Sequence, residues 1–178
     1  MIMQDIYLPG YRWHCRVYYA VTGYWADVIL EDLRRIGCAG ADYRRARKNL
    51  YAGHLDTGLT YSNRRAGESV MVIGLTSSAE EFAHSYDHEK GHLLRHISSA
   101  FGIDPYGEEQ QYLSGDISKE MFPVAKKFMC ECCRKNIFQE SDYIRDISLS
   151  ERLLAVRTPE CGASVLQVFY KVKSADTY

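Results

Sequence analysis

The spacing of hydrophobic and polar positions changes several times along the chain, and each change marks an element. Residues 14 to 21, H-C-R-V-Y-Y-A-V, are rich in β-branched and aromatic types and predict a strand. From Ala26 the period lengthens. Ala26, Val28, Ile29, Leu30, Leu33 and Ile36 supply a helical apolar spacing, and Gly37 stops it. Residues 41 to 52, A-D-Y-R-R-A-R-K-N-L-Y-A, read as a second helix with a basic face, ending at Gly53. The segment D-T-G-L-T-Y-S-N at 56 to 63 is short and extended, and E-S-V-M-V-I-G at 68 to 74 is a strand with an apolar centre. The loop N-R-R-A-G between them predicts a hairpin.

Helical spacing then takes over. Ser77 with Glu80, or Ser78 with Glu81, fits a capping box, so a helix begins here and runs to about Phe101, with Gly102 as its stop. Phe82, Leu93, Leu94, Ile97 and Phe101 are its buried positions. The turn G-I-D-P-Y-G leads to another helix from about Glu108 to Met129, with Leu113, Ile117, Met121, Val124 and Phe128 as its core stripe. After Cys133 the pattern weakens to one short apolar run, 153 to 156, and a strand-like V-L-Q-V-F-Y at 165 to 170. The expected organisation is an α+β domain over 1–133 followed by a C-terminal extension over 134–178, packed on the domain or appended to it.

Composition narrows the picture a little. Hydrophobic residues at 46% and charged residues at 25% are ordinary for a folded domain. A net charge of −1 gives no general attraction to nucleic acid or to an anionic membrane. Arg44, Arg45, Arg47 and Lys48 therefore read as a solvated helix face, not as a phosphate-binding stripe. No run approaches the ~20 apolar residues of a membrane span, and Met1 to Gly10 lacks the basic-then-apolar pattern of a secretory leader. The expected compartment is the reducing cytoplasm, where the six cysteines are thiols. Cys130, Cys132 and Cys133 stand close together with Cys161 far off. They lack the two regularly spaced pairs of a structural zinc site and read as thiols near a helix end.

The chemistry lies in the first of the two long helices. Residues 88 to 92 read H-E-K-G-H, the HExxH pattern. With six histidines in the chain, a chance match arises on the order of once in a hundred such sequences. On a helix, positions i and i+4 stand one above the other, so His88 and His92 can converge on one zinc ion. Glu89 is turned ~100° around the helix from His88, beside the ion, where it can act as general base toward a metal-activated water. His84 and His96 continue the four-residue spacing. However, residues eight apart are separated by ~12 Å along the axis and the row drifts by ~40° per step. A rim residue and a packed histidine are the readings for this pair.

Catalytic zinc takes three protein ligands and keeps one position open. A third histidine of the metzincin kind would need glycine at position 95 and histidine at position 98, where the chain has Arg95 and Ser98. The alternative is a glutamate at the head of the next helix. Glu109 aligns with Leu113 and Ile117, and Glu108 aligns with Gln111, Tyr112 and Gly115, where glycine would allow close helix approach. Glu108 is the favoured ligand, with Glu109 as the alternate.

H-E-K-G-H, its spacing to G-E-E-Q-Q-Y-L-S-G, and the upstream D-T-G-L-T-Y-S-N and E-S-V-M-V-I-G-L-T-S-S together resemble a family of small, gluzincin-like HExxH proteins of anaerobic gut bacteria and their phages. The likeness spans about residues 5 to 132 and is specific in the 57 to 117 block. Second helices of that family show glutamate, two residues, a small residue and tyrosine. Glu108 to Tyr112 fits, except that Gln111 replaces the small residue. The resemblance implies a compact zincin-like domain with a small sheet, a histidine helix and a glutamate helix, and it implies no particular substrate.

These readings converge on a zinc metallopeptidase with Glu89 as base, acting on a peptide or protein. A strand beside the cleft, residues 68 to 74, would hold an extended peptide by backbone pairing. Tyr112, Tyr86 and His84 are candidates for the hydrogen-bond donor in the transition state. The competing expectation is a zinc-stabilised binding or regulatory module of a phage or mobile element, without catalysis. A nucleic-acid-associated protein using the basic helix is the third, and the near-neutral charge counts against it.

Overall fold

The structure is a computed structural model that describes residues 1–53, 55, 58–135 and 137. It is an α+β fold built on one four-stranded mixed sheet in the order β1-β2-β4-β3. The strands are β1 (Ile2–Leu8), β2 (Trp13–Val21), β3 (Gly58–Asn63) and β4 (Glu68–Gly74). β1 pairs antiparallel with β2, β2 pairs parallel with β4, and β3 closes an antiparallel hairpin on β4. Four helices cover the sheet: α1 (Ala26–Arg35), α2 (Gly40–Ala52), α3 (Ala79–Phe101) and α4 (Glu108–Ala125).

Strand periodicity sorts the core into two halves. Cys15, Val17, Tyr19, Met71 and Ile73 face α3 and α4, where they meet Phe82, Leu93, Ile97, Leu113, Ile117 and Met121. Tyr18, Val70 and Val72 face the other way, toward Ile29, Leu30 and Leu33 of α1 and Leu50 of α2. The predicted stripe Leu113, Ile117, Met121, Val124 and Phe128 is buried throughout. The second long helix ends at Ala125, short of the expected Met129, and Phe128 reaches the core from the turn that follows.

α3 starts as the capping pattern predicts, with one refinement. Ser78 Oγ accepts from the Glu81 N–H at 3.1 Å, and Glu81 Oε2 accepts from the N–H of Ser77, at 2.7 Å. The reciprocal bond thus reaches one residue beyond the cap. Gly102 ends the helix with a left-handed φ of 68°, a conformation glycine adopts without side-chain strain. β1 is an element that the hydrophobic pattern does not announce. Its inward row runs Ile2, Gln4, Ile6, Leu8, and the polar Gln4 interrupts the alternation. Gln4 is satisfied in place. Its Nε2 donates to the Glu120 carbonyl and its Oε1 accepts from the Tyr19 hydroxyl, both at 2.8 Å.

Of the expected extension over 134–178, residue 136 and residues 138–178, with the apolar run at 153–156, the strand at 165–170 and Cys161, lie outside the described residues. Among the described residues, no helix is long and apolar enough to cross a membrane.

Candidate metal centre

α3 lies along the hairpin edge of the sheet, and its side chains divide by angle. Phe82, Leu93 and Ile97 enter the core. Lys90 and Tyr86 turn toward α4: Lys90 Nζ donates to Ser118 Oγ at 3.2 Å, and Ser118 also hydrogen-bonds the Tyr86 hydroxyl. The positions two residues either side of Lys90 are turned ~160° from it. They are His88 and His92, which therefore face away from α4. His88 is exposed and His92 half-buried.

Their Nε2 atoms stand 3.1 Å apart, with the ring planes at 71°. Two imidazole nitrogens bound to one zinc at ~2.0–2.1 Å in a tetrahedral arrangement stand about 3.3–3.4 Å apart. The pair is thus at chelating distance without rearrangement of the helix, and it offers two corners of a metal site.

Glu89 follows His88 on α3 and is 2% exposed. The edge strand holds it. Thr60 Oγ1 donates to Glu89 Oε2 at 2.7 Å, with the Glu89 main-chain carbonyl 3.4 Å from the same hydroxyl. The row of β3 on this side is Gly58, Thr60, Ser62, all small. Gly58 is required for the close approach: a Cβ there would lie 2.0 Å from the Val72 carbonyl oxygen and 2.9 Å from Glu89 Cγ. The opposite row, Leu59 and Tyr61, packs against the α1–α2 core.

His96, one turn beyond His92, is bound into the sheet. The indole N–H of Trp13 donates to Ser69 Oγ at 2.8 Å, Ser69 and Ser62 hydroxyls are 2.7 Å apart, and Ser62 Oγ is 2.8 Å from His96 Nδ1. An indole nitrogen only donates. Ser69 therefore accepts from Trp13, and its contact with Ser62 links the two strands to His96. Burial and the neighbouring Arg64 and His92 hold its pKa below the usual histidine value. His84 is exposed.

The expected third ligand does not reach the histidines. Glu108 and Glu109 occupy the first turn of α4. The α3–α4 hairpin places that turn beside the end of α3, where Tyr11 stacks edge-on with Phe101 and its hydroxyl lies 3.4 Å from Glu109 Oε1. Ser118, the α4 residue level with Lys90, is ten positions on, ~15 Å along the axis. The two carboxylates are therefore separated from His88 and His92 both along the helix pair and around it. Gly115 meets nothing within 4 Å where a Cβ would stand, so it serves no close helix contact. Among the described residues, the ligand atoms that gather in threes within 4.8 Å are the sulfurs of Cys130, Cys132 and Cys133. Those three could hold a metal ion.

The candidate donors are elsewhere too. Tyr86 is buried in the α3–α4 interface, and Tyr112 is 71% exposed on α4. β4 lies inside the sheet, between β2 and β3, so both its edges are already paired. The sheet edge beside Glu89 is β3. Thr60 is the residue of this centre that sequence reasoning missed. Its signal was the alternation of small and large side chains in G-L-T-Y-S-N. Comparison of the chain with protein-family models, with curated proteins and with solved structures finds no match.

Proposed function

We propose that the chain is a zinc-dependent metallopeptidase of the HExxH type, with His88 and His92 as two of the zinc ligands and Glu89 as general base. The observation that carries this reading is the His88–His92 pair at 3.1 Å on the open flank of α3, with a buried carboxylate next to it. Zinc, when bound, would polarise a substrate carbonyl and bring the pKa of water in its open position to about 7. The chain's own residues do the rest. Glu89 takes a proton from the attacking water and returns it to the leaving amine. Thr60 orients the Glu89 carboxylate and offsets the cost of burying it. β3, as the edge strand beside Glu89, offers main-chain groups on which an extended peptide can pair.

Purified zinc-loaded protein would be incubated with a diverse peptide library, beside a chelated sample and a Glu89→Gln variant. Cleavage confined to the loaded wild type supports the reading. Cleavage that persists in both controls overturns it.

A second reading is a zinc-stabilised binding or regulatory module. It is favoured by the Thr60–Glu89 bond, because a buried, strand-bonded carboxylate also serves as a tie between α3 and β3. Its mark would be zinc-dependent thermal stability without cleavage of any library peptide.

A further inference from the structure

A second set of metal-ligating atoms lies away from the histidine helix. Cys130 ends the turn after α4, and residues 131–135 form a helical segment. The Sγ atoms of Cys130 and Cys132 are 2.7 Å apart and those of Cys132 and Cys133 3.9 Å apart. All three lie within 4.8 Å of one another. Thiolates sharing one cation at metal–sulfur distances near ~2.3 Å stand about 3.7–4.0 Å apart. The second pair is already at that spacing. The first opens to it by side-chain rotation, which is unhindered because Cys132 is exposed and Cys130 partly so.

The neighbouring charged side chains are committed to α3. Glu131 Oε1 accepts from the Ala79 N–H at 2.6 Å, and Arg134 Nη1 donates to the Ser77 carbonyl at 2.5 Å. The segment thus turns its charged residues to the start of α3 and gathers its thiols apart from them. Glu131, spent on Ala79, leaves a donor set of sulfur alone.

We propose that Cys130, Cys132 and Cys133 form a three-thiolate site for a soft closed-shell cation of the zinc(II) or copper(I) class, separate from the His88–His92 pair. Soft thiolate donors select such cations over hard ones. Cys15 and Cys38 are the contrast: both are buried and neither joins the cluster. A cation here would tie down the segment that braces the start of the histidine helix.

The test uses the reduced full-length chain, titrated in separate arms with zinc(II), with copper(I), and with cadmium(II) as a spectroscopic stand-in. A thiolate-to-metal charge-transfer band saturating at one equivalent of cadmium is expected. It should persist in a His88→Ala/His92→Ala variant and vanish in a Cys130→Ser/Cys132→Ser/Cys133→Ser variant with unchanged circular dichroism. Should the triple variant not fold, Cys132→Ser alone, at an exposed position, is expected to weaken binding at least tenfold. Competition by zinc or by copper(I) supports the proposal. A band and stoichiometry that survive the cysteine substitutions would overturn it, as would a wild type that binds none of the three cations at its thiols.

Discussion

The Thr60 hydroxyl donates to Glu89 Oε2 across 2.7 Å, so the sheet edge helps to orient the carboxylate that follows His88 on α3. The link predicts a split between metal and activity. Thr60→Val keeps the shape but leaves a buried carboxylate oxygen without this partner, at a cost of about 1–3 kcal/mol in stability. Zinc content should be unchanged, because neither histidine touches Thr60, while kcat falls by more than tenfold. Thr60→Ser restores the hydroxyl and should recover most of it. A Thr60→Val enzyme with wild-type kcat would show that the bond does not orient the base.

A second prediction separates the ligands from the residues that the sequence pairs with them. His88→Ala or His92→Ala removes half of the chelating pair, and zinc measured by elemental analysis should fall with it. Glu108→Ala and Glu109→Ala should leave zinc at the His88–His92 pair intact, since both carboxylates stand at the far end of α4 and on the other side of α3. Counting is best done with the three clustered cysteines replaced by serine, so that thiolate-bound metal is not included. Loss of zinc in Glu108→Ala would require α4 to stand elsewhere relative to α3, and hydrogen exchange along α4 would detect such a rearrangement.

This is also where sequence and structure part. Periodicity sees one element at a time, and it placed α3, α4 and the β3–β4 hairpin well because each carries its own stripe, cap or turn. The HEKGH pair needs only the helix that holds it, so its geometry was legible. The third ligand depends on how two helices stand beside each other. Glycine at position 115 suggested one phase, whereas the buried run Leu113, Ile117 and Met121 sets another. β1 was hidden by Gln4, an inward polar residue whose partners, Tyr19 and the Glu120 carbonyl, are far away in sequence. The thiol cluster was hidden for a similar reason. Its spacing is irregular, and only the turn after α4 brings the sulfurs together.

A third prediction concerns acid stability on the opposite face of the sheet. Asp32 is 9% exposed. Burial pushes its carboxyl up, but hydrogen bonds from Tyr18 and Arg16, the Arg16 charge, and a hydrogen bond from Arg35 outweigh this and hold it below the usual carboxylate value. A depressed folded-state pKa means that the network stabilises the fold above the unfolded value of about 3.9. That contribution is lost as pH falls through the lower folded-state value. Asp32→Asn should therefore lower the melting temperature at neutral pH and narrow its gap to wild type in strong acid. Melting curves that stay parallel between pH 7 and pH 2 would remove Asp32 from the account of acid unfolding.

The last prediction tests the chemistry itself. Glu89→Gln keeps the side-chain volume, and the amide oxygen can still accept from Thr60, so fold and zinc content should match the wild type. What the amide lacks is basicity. It cannot take the proton of the attacking water, and general-base help of this kind is typically worth ~10²–10⁴-fold. The Thr60 bond supplies the internal control. If Glu89 served only to tie α3 to β3, glutamine would replace it at little cost, and zinc-dependent stability and any ligand binding would persist unchanged. If Glu89 is the base, hydrolysis collapses while stability stays. The measurement is kcat on a peptide that the wild type cleaves and a chelator protects, read beside the melting temperature of the same samples. Wild-type kcat in Glu89→Gln would refute the base assignment. An unchanged melting temperature with hydrolysis intact would assign the residue to the α3–β3 tie instead.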